Sequence, residues 1–286
     1  MRTKQSTLAG TWYPGRADEL RRTVDGFLAE TSSEGAASPL GLIVPHAGYQ
    51  YSGLVAGAAY RRLRNVACTR VVLLAPSHRM SYRGVVVPDV DAFETPLGQV
   101  RLDGVVPDLP RDQPLVRIDL APFQGEHSLE IQLPFVQRVL PSATVVPLLF
   151  GDLESQDHPA LRPTIDRLAD DRTVFVISSD FTHYGWRFGY EPFPADDAAT
   201  VRDRLGELDR GAIDPILRGD ALAFRRYLDG TGATVCGQIP IMAFLTWVDR
   251  RHRGELLAYR TSLDVTGDYE HSVSYAAIAF TRAGIA

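Results

Sequence analysis

Four short apolar runs constrain the fold of this chain more than any other feature. They lie at residues 40–44, 71–76, 143–151 and 173–180, and each is too short to be read as a helix. Segments with helical spacing of apolar residues separate them. Buried strands that alternate with helices are typical of a mostly parallel sheet with helices on both faces. The sequence therefore predicts an α/β protein.

The remaining segments extend this pattern without a break. Helices are predicted at residues 17–30, 52–63, 126–140 and 157–169, and two or three more after residue 195. Turn residues between β-branched runs in residues 83–103 predict a hairpin excursion. Two strands, at 256–262 and 273–280, close the chain. Because no repeat or linker interrupts it, we predict a single domain, 1–286, with a mostly parallel or mixed central sheet.

Composition and charge exclude several classes of protein. A formal net charge of −5 argues against the basic face of a nucleic-acid-binding protein. No apolar run approaches the ~18 residues of a membrane span. The two cysteines show no disulfide spacing, and the first fifteen residues have no apolar signal core. These features predict a cytoplasmic protein that contacts neither nucleic acid nor membrane.

Three of the predicted strands end in histidine-containing loops. His46 follows the first run, His78 follows the second, and His183 follows the last, with Asp180 three residues earlier. Ligands of open α/β sheets bind at the carboxyl ends of the strands. One histidine after a strand is usually a loop residue, but three in the same relation indicate a site.

Cys236 adds a soft donor to these histidines. Gly237 permits a tight turn after it, and Pro240 suits the first turn of a helix. A thiol at a helix N-terminus has its thiolate favoured by the dipole, which predicts a reactive or metal-binding cysteine. Cys68, which precedes a strand, is instead interpreted as a buried small hydrophobic residue.

A histidine and a glutamate three residues apart form a second group. His127 and Glu130 share one face of the predicted helix. Glu126 and Glu130 can be explained as acids favoured by the helix dipole. Alternatively, His127 lies in the pocket and Glu130 orients it. Aromatic residues near the motifs, Tyr49 and Tyr184 among them, suit an aromatic or peptide ligand.

Seven motifs, in order, resemble the Memo family. They are AGTWYP, PHAGYQYSG, PSH, HSLEIQLP, SSDFTHYG, CGQIP and SVSYAAIAF, and they span nearly the whole chain. Memo-like proteins are similar in fold to the class III extradiol dioxygenases, which are non-haem iron enzymes. This resemblance implies a metal held by His46, His78 and Cys236.

The resemblance also assigns roles to the other candidates. His183 falls where the dioxygenases keep an acid/base histidine, with Asp180 beside it, and the His127–Glu130 stretch lines the same cleft. Arg79 and Thr182 depart from residues that many relatives carry, but neither is a proposed ligand. The dioxygenases complete their site with a carboxylate, whereas this chain offers a thiol.

Three functions remain open on these residues. The first is a redox or dioxygenase-type metalloenzyme that uses Fe(II), copper or zinc, with His183 as base and a small-molecule substrate, aromatic compounds included. The second is a non-catalytic protein that binds a metal or a peptide in the same cleft. The third is a hydrolase with Cys236 as nucleophile, His183 as base and Asp180 as its orienter. The pattern makes no prediction of the oligomeric state.

Overall fold

A computed structural model describes residues 2–29, 38–248 and 252–282 of the chain. Its strands are β1 (Thr3–Lys4), β2 (Gly41–Val44), β3 (Arg70–Pro76), β4 (Val85–Val87), β5 (Ala92–Thr95), β6 (Gly98–Arg101), β7 (Val116–Ile118), β8 (Thr144–Phe150), β9 (Thr173–Ser178), β10 (His183–Tyr184), β11 (His252–Thr261) and β12 (Ser272–Arg282). Its α-helices are α1 (Ala17–Ala29), α2 (Tyr49–Tyr60), α3 (His127–Glu130), α4 (Leu133–Val139), α5 (Asp157–Ala160), α6 (Arg162–Leu168), α7 (Ala198–Leu217), α8 (Ala221–Thr231), α9 (Gln238–Trp247) and α10 (Leu263–Thr266).

A nine-stranded mixed sheet forms the centre of the protein. Eight strands follow the order β10-β12-β2-β9-β3-β8-β4-β7, and β11 pairs with β12. The four central strands, β2, β9, β3 and β8, run parallel, while β12 and β4 flank them antiparallel. The predicted α/β class with a mostly parallel or mixed sheet is therefore confirmed. Strands β1, β5 and β6 form a separate small sheet.

Both faces of the central sheet are buried. On β2, Leu42 and Val44 belong to a core that includes α1, α2 and α4. Ile43 belongs to a second core that includes α6, α7, α8 and α9. The same alternation recurs on β3 and β9, which is the consequence of side chains pointing to opposite faces. Strands buried on both sides explain the near-continuous apolar runs in the sequence.

Three sequence-based boundaries were wrong. The helix predicted at 126–140 divides into α3 and α4, and the helix predicted at 157–169 divides into α5 and α6. In both cases a proline, Pro134 or Pro163, lies in the first turn of the second helix, where its missing N–H costs nothing. In the predicted excursion, only β5 and β6 form a hairpin, because the fully buried β4 joins the central sheet beside β8.

The parallel strands place their carboxyl ends at one edge. The loops after β2, β3 and β9 meet there, as does the start of α9. No helix within the described residues is both long and apolar enough to cross a membrane.

Candidate functional site

A cavity of about 830 Å³ opens at the carboxyl edge of the central sheet. Seven of the nine residues predicted for the site line it. These are His46, His78, Cys236, His127, His183, Asp180 and Tyr49. Much of the remaining wall is aromatic and comes from residues 4–14, which we call the N-terminal segment, from α1, α2 and β12, and from the loop after β10. Those aromatic residues are Trp12, Tyr13, Phe27, Tyr51, Phe188 and Tyr275.

Three of the lining residues form a cluster with metal-ligand spacing. One donor atom from each of His46, His78 and Cys236 lies within 4.8 Å of the other two. The Cys236 Sγ lies 3.1 Å from the His46 Nε2. The predicted ligands are thus brought together from two strand ends and a helix start, although they are up to 190 residues apart in sequence.

The protonation of His46 is fixed by a buried hydrogen-bond network. The His46 Nδ1 lies 2.9 Å from the Ser178 Oγ. That hydroxyl donates its one hydrogen to the Ser128 carbonyl and accepts a hydrogen bond from the Gln132 amide. The His46 Nδ1 must therefore be the donor, which leaves a lone pair on Nε2 facing Cys236. Burial, together with the neighbouring histidines His78, His127 and His183, lowers the pKa of His46 and keeps it neutral.

His78 is oriented by a carboxylate that belongs to Glu126. The Glu126 Oε1 lies 3.1 Å from the His78 Nδ1, and its Oε2 accepts a 2.6 Å hydrogen bond from the His78 backbone N–H. Although burial opposes it, the hydrogen bond and charge of His78 lower the pKa of Glu126 to about 2. This is the carboxylate–histidine arrangement that orients metal-binding imidazoles.

Cys236 is held where α9 begins. Gly237 caps the helix and lies so close to β9 that a Cβ there would meet the Ser179 Cβ at 2.3 Å. The Asp180 backbone N–H donates to the Cys236 Sγ at 3.2 Å. Burial, together with the Asp180 charge, raises the pKa of the thiol well above its usual range. The predicted thiolate is therefore not stabilised by the protein alone, because burial outweighs the helix dipole; a bound metal would have to supply that stabilisation.

His183 and Asp180 line the cavity but do not form a catalytic pair. The His183 Nδ1 lies 3.0 Å from the Phe181 carbonyl oxygen and 3.2 Å from that of Thr234. Both partners are acceptors, so Nδ1 carries the proton and Nε2 is left as the base. Asp180 instead accepts a 2.7 Å hydrogen bond from the His46 backbone N–H, and burial raises its pKa to about 6. Among the described residues, no hydrogen bond joins the Asp180 carboxylate to the His183 ring, so this geometry does not support Asp180 as the orienter of His183.

His127 lies in a stack of rings beside the cluster. Its ring centroid is 4.4 Å from that of His78 on one side and 4.5 Å from that of Trp12 on the other. Burial, aided by the charge of His78, lowers its pKa to about 4, so the ring is neutral near pH 7. His127 therefore lines the cavity, as the second of the two sequence-based interpretations has it.

Glu130 and Tyr184 do not line the cavity. The carboxylate of Glu130 faces the N-terminal segment, where it binds Lys4 among others, and it does not orient His127. Tyr184 is fully buried, and its hydroxyl donates to the Phe193 carbonyl. Successive side chains of a strand point to opposite faces, so in β10 His183 faces the cavity and Tyr184 faces away from it.

Two contributors were missed in the sequence. Glu126 was interpreted only as an acid favoured by the helix dipole, and no role was predicted for Ser178. The adjacency of Glu126 to His127 at a helix start was the available signal for the first. Ser178, the last residue of a buried strand, is a polar residue where an apolar one is expected, which was the signal for the second.

The donor set fits a transition metal. Two imidazoles, each with its Nδ1 facing a hydrogen-bond acceptor, and one thiol are soft or borderline ligands, which suit iron, copper or zinc and disfavour Mg²⁺ and Ca²⁺. Three ligands leave at least one coordination position open towards the cavity. The arrangement can therefore bind a metal and present it to a small molecule.

The chain is similar over nearly its whole length to proteins of one family. The family profile described as Memo-like protein matches residues 4–279. Protein memo-1 homolog of Caenorhabditis elegans is 30% identical, with 96% of this chain and 81% of the relative covered. Protein MEMO1 of Xenopus tropicalis is 32% identical, with 96% of each covered. Among solved structures, an uncharacterized protein of Escherichia coli K12 aligns with a TM-score of 0.48 at 14% identity, covering 84% of this chain and 98% of that one. The family match and the two relatives show that the chain belongs to the Memo-like family.

Proposed function

We propose that this protein is a metal-dependent redox enzyme that binds a transition metal, foremost Fe(II), through His46, His78 and Cys236. The observation that carries the proposal is the convergence of these three donors within 4.8 Å at the cavity. Two acceptors that orient the imidazoles support it, because each leaves the Nε2 atom available. Acceptors that orient histidine rings in this way are typical of metal sites.

The shape of the cavity supports a small ring-containing substrate. At about 830 Å³ it lies within the range of small-molecule sites, and aromatic side chains form much of its wall. Neither lysine nor arginine is among the described residues that line it. A neutral aromatic compound is therefore favoured over a polyanion.

The catalytic groups follow from the same geometry. When bound, iron supplies Lewis acidity and electron transfer at the open positions. The His183 Nε2 accepts a proton from the substrate, because its Nδ1 proton is committed to two backbone carbonyls. A positioned base of this kind contributes about 10²–10⁴ in rate. The aromatic wall binds the ring and excludes water.

Elemental analysis and electron paramagnetic resonance of protein purified without oxygen test the metal site. We expect stoichiometric metal in the wild type, its loss in Cys236→Ser, and its retention in the matched control Cys68→Ser. Cys68 is the other free cysteine and lies outside the cavity. Absence of metal from the wild type, or retention in Cys236→Ser, contradicts the proposal.

Oxygen uptake with catechol tests turnover separately. We expect uptake that depends on added Fe(II) and falls at least about 10²-fold in His183→Ala, while the metal content stays constant. Metal binding without uptake for catechols and related ring compounds would favour the second function, a non-catalytic binding protein. The thiol ligand, in the place of a dioxygenase carboxylate, is the observation that supports this second function.

The hydrolase function is disfavoured by the geometry. The Cys236 thiol contacts His46, and burial together with the Asp180 charge raises the pKa of that thiol, which opposes thiolate formation. The His183 ring is oriented by the Phe181 and Thr234 carbonyls and not by Asp180, as the hydrolase hypothesis requires.

A further inference from the structure

One buried carboxylate, that of Glu130, binds five of the first thirteen residues. Glu130 is only 4% exposed and lies on α3, outside the cavity. It accepts hydrogen bonds from the Lys4 Nζ at 3.1 Å, the Ser6 Oγ at 2.7 Å, the Thr7 N at 2.9 Å, the Thr7 Oγ1 at 3.0 Å, the Leu8 N at 3.0 Å and the Tyr13 Oη at 3.0 Å. All six of these donors belong to the N-terminal segment.

The N-terminal segment is otherwise weakly anchored by regular structure. Lys4 is its one residue in a strand, the two-residue β1, which pairs with β5 through two positions. The rest is turns, and the Trp12 carbonyl accepts a hydrogen bond from the Tyr49 backbone N–H at the start of α2. The carboxylate of Glu130 is therefore the principal polar anchor of the segment.

The same segment forms one wall of the cavity. Residues 10–14 line it, and Trp12 presents a half-buried indole beside the metal-ligand cluster. The indole is stacked on His127, which is stacked on His78. The hydrogen bonds to Glu130 thus hold the segment that places the Trp12 ring relative to His78, a proposed metal ligand.

We propose that Trp12 contacts the ring of the bound substrate and determines which ring compounds the cavity accepts, and that Glu130 is the positioning residue that holds this wall in place. The proposal rests on the proposed function in that it concerns the same cavity. It differs in its residues, because neither Trp12 nor Glu130 is a metal ligand.

The chemistry of the anchor explains why Glu130 cannot be replaced by an amide. Six donors converge on its two oxygens, and Lys4 neutralises its charge in a buried ion pair. Glutamine retains one oxygen and places an NH₂ group among N–H and O–H donors. Several donors then lose their acceptor, and the cost of leaving them buried favours release of the segment.

The test compares ligand affinity with metal content in the same samples. Binding of 4-ethylcatechol is measured by calorimetry on metal-free and Zn²⁺-loaded protein, and protection of residues 4–14 by hydrogen exchange. We expect Glu130→Gln and Trp12→Ala each to weaken probe binding about tenfold, with Zn²⁺ stoichiometry unchanged. Protection falls in Glu130→Gln only.

Asp157→Asn is the matched control. Asp157 is also a buried carboxylate paired with a cation, Arg83, but it lies away from the cavity. We expect this variant to lose stability while it keeps the affinity for the probe. If Glu130→Gln does not fold, Tyr13→Phe removes one hydrogen bond to the carboxylate and is expected to give a smaller loss in the same direction.

Each other outcome is decisive. If Glu130→Gln loses hydrogen-exchange protection of residues 4–14 but keeps its affinity for the probe, the N-terminal segment does not contact the ligand and the proposal is wrong. If Glu130→Gln also loses metal, Glu130 supports overall folding and is not a positioning residue for this wall. A probe that binds neither form of the wild type overturns the contact at Trp12. If the wild type binds no Zn²⁺ but the metal-free protein shows the expected ranking, the proposed function fails and this inference stands.

Discussion

Replacement of Glu126 by glutamine is the most direct test of how the metal-ligand cluster is built. In the wild type, Oε2 accepts the His78 backbone N–H, and Oε1 faces both the His78 Nδ1 and the Ser128 N–H. Glutamine keeps the shape and one oxygen. The NH₂ group of the glutamine must then face either the His78 backbone N–H or the pair formed by the His78 Nδ1 and the Ser128 N–H. In either orientation at least one buried donor loses its acceptor.

The size of the effect follows from these three contacts. One buried donor left without an acceptor costs about 1–3 kcal/mol. Loss of a carboxylate that orients a metal-binding histidine typically lowers metal affinity about 10–100-fold, which corresponds to about 1.4–2.7 kcal/mol. Because the two estimates overlap, we expect Glu126→Gln to weaken metal binding about 10–100-fold.

Competition with a chromophoric chelator measures this change, with Zn²⁺ in air and Fe²⁺ without oxygen. Glu130→Gln is the matched control, since it is the same substitution four residues later in a carboxylate that contacts no proposed ligand. We expect its metal affinity to equal that of the wild type. Equal affinity in Glu126→Gln, or an equal loss in Glu130→Gln, refutes the assignment of the orienting carboxylate to Glu126.

Three further predictions concern tautomer, pH and packing. Ser178→Ala leaves the Nδ1 of His46 without its partner and is expected to weaken metal binding about tenfold, measured by the same chelator competition. Although burial opposes it, the Lys4 charge and hydrogen bonds lower the pKa of Glu130. The ionised carboxylate therefore contributes its full stabilisation above the unfolded pKa of about 4.3, and this contribution is lost as the pH falls through the folded pKa. In urea unfolding, the difference in unfolding free energy between the wild type and Glu130→Gln should shrink as the pH falls below the folded pKa. Gly57→Ala puts a Cβ 2.3 Å from the Phe27 carbonyl oxygen of α1 and should lower the free energy of unfolding by about 1–3 kcal/mol. Gly206→Ala, where nothing lies near the new Cβ on α7, should raise it by about 0.5–1 kcal/mol, and a destabilised Gly206→Ala would contradict this account of the helix.

The sheet and the gathering of the candidate residues at one edge could be predicted because both follow from short-range patterns, whereas the choice of His46, His78 and Cys236 as ligands came from the resemblance to the Memo family. Strands buried on both faces are visible as apolar runs, and parallel strands deliver whatever follows them to one edge. His46, His78 and His183 therefore converge without any knowledge of loop structure. Cys236 could be added because Gly237 and Pro240 mark the start of a helix, which the structure has at Gln238.

The assignment of the two glutamates could not be made from spacing. In a continuous helix, residues 126 and 130 are one turn apart and share a face. The chain instead holds Glu126 in an extended conformation as the cap of α3, and α3 ends at Glu130. The cap position directs one carboxylate to His78, and the helical position directs the other to the N-terminal segment. A one-residue difference in where the helix begins thus separated the two roles.

The N-terminal segment was the least predictable part of the site, and its physical character explains both that and its use. It has one residue in a strand and no helix, and its hydrogen bonds to Glu130 join residues more than 110 positions apart, so no local periodicity predicts them. The metal-ligand cluster lies on loops fixed directly by the central sheet, whereas the wall that carries Trp12 depends on one carboxylate. In such a protein, substitutions in this wall can change which small molecule the cavity binds while His46, His78 and Cys236 keep their positions. Variation in substrate among proteins with this cluster is therefore expected to fall first in residues 10–14.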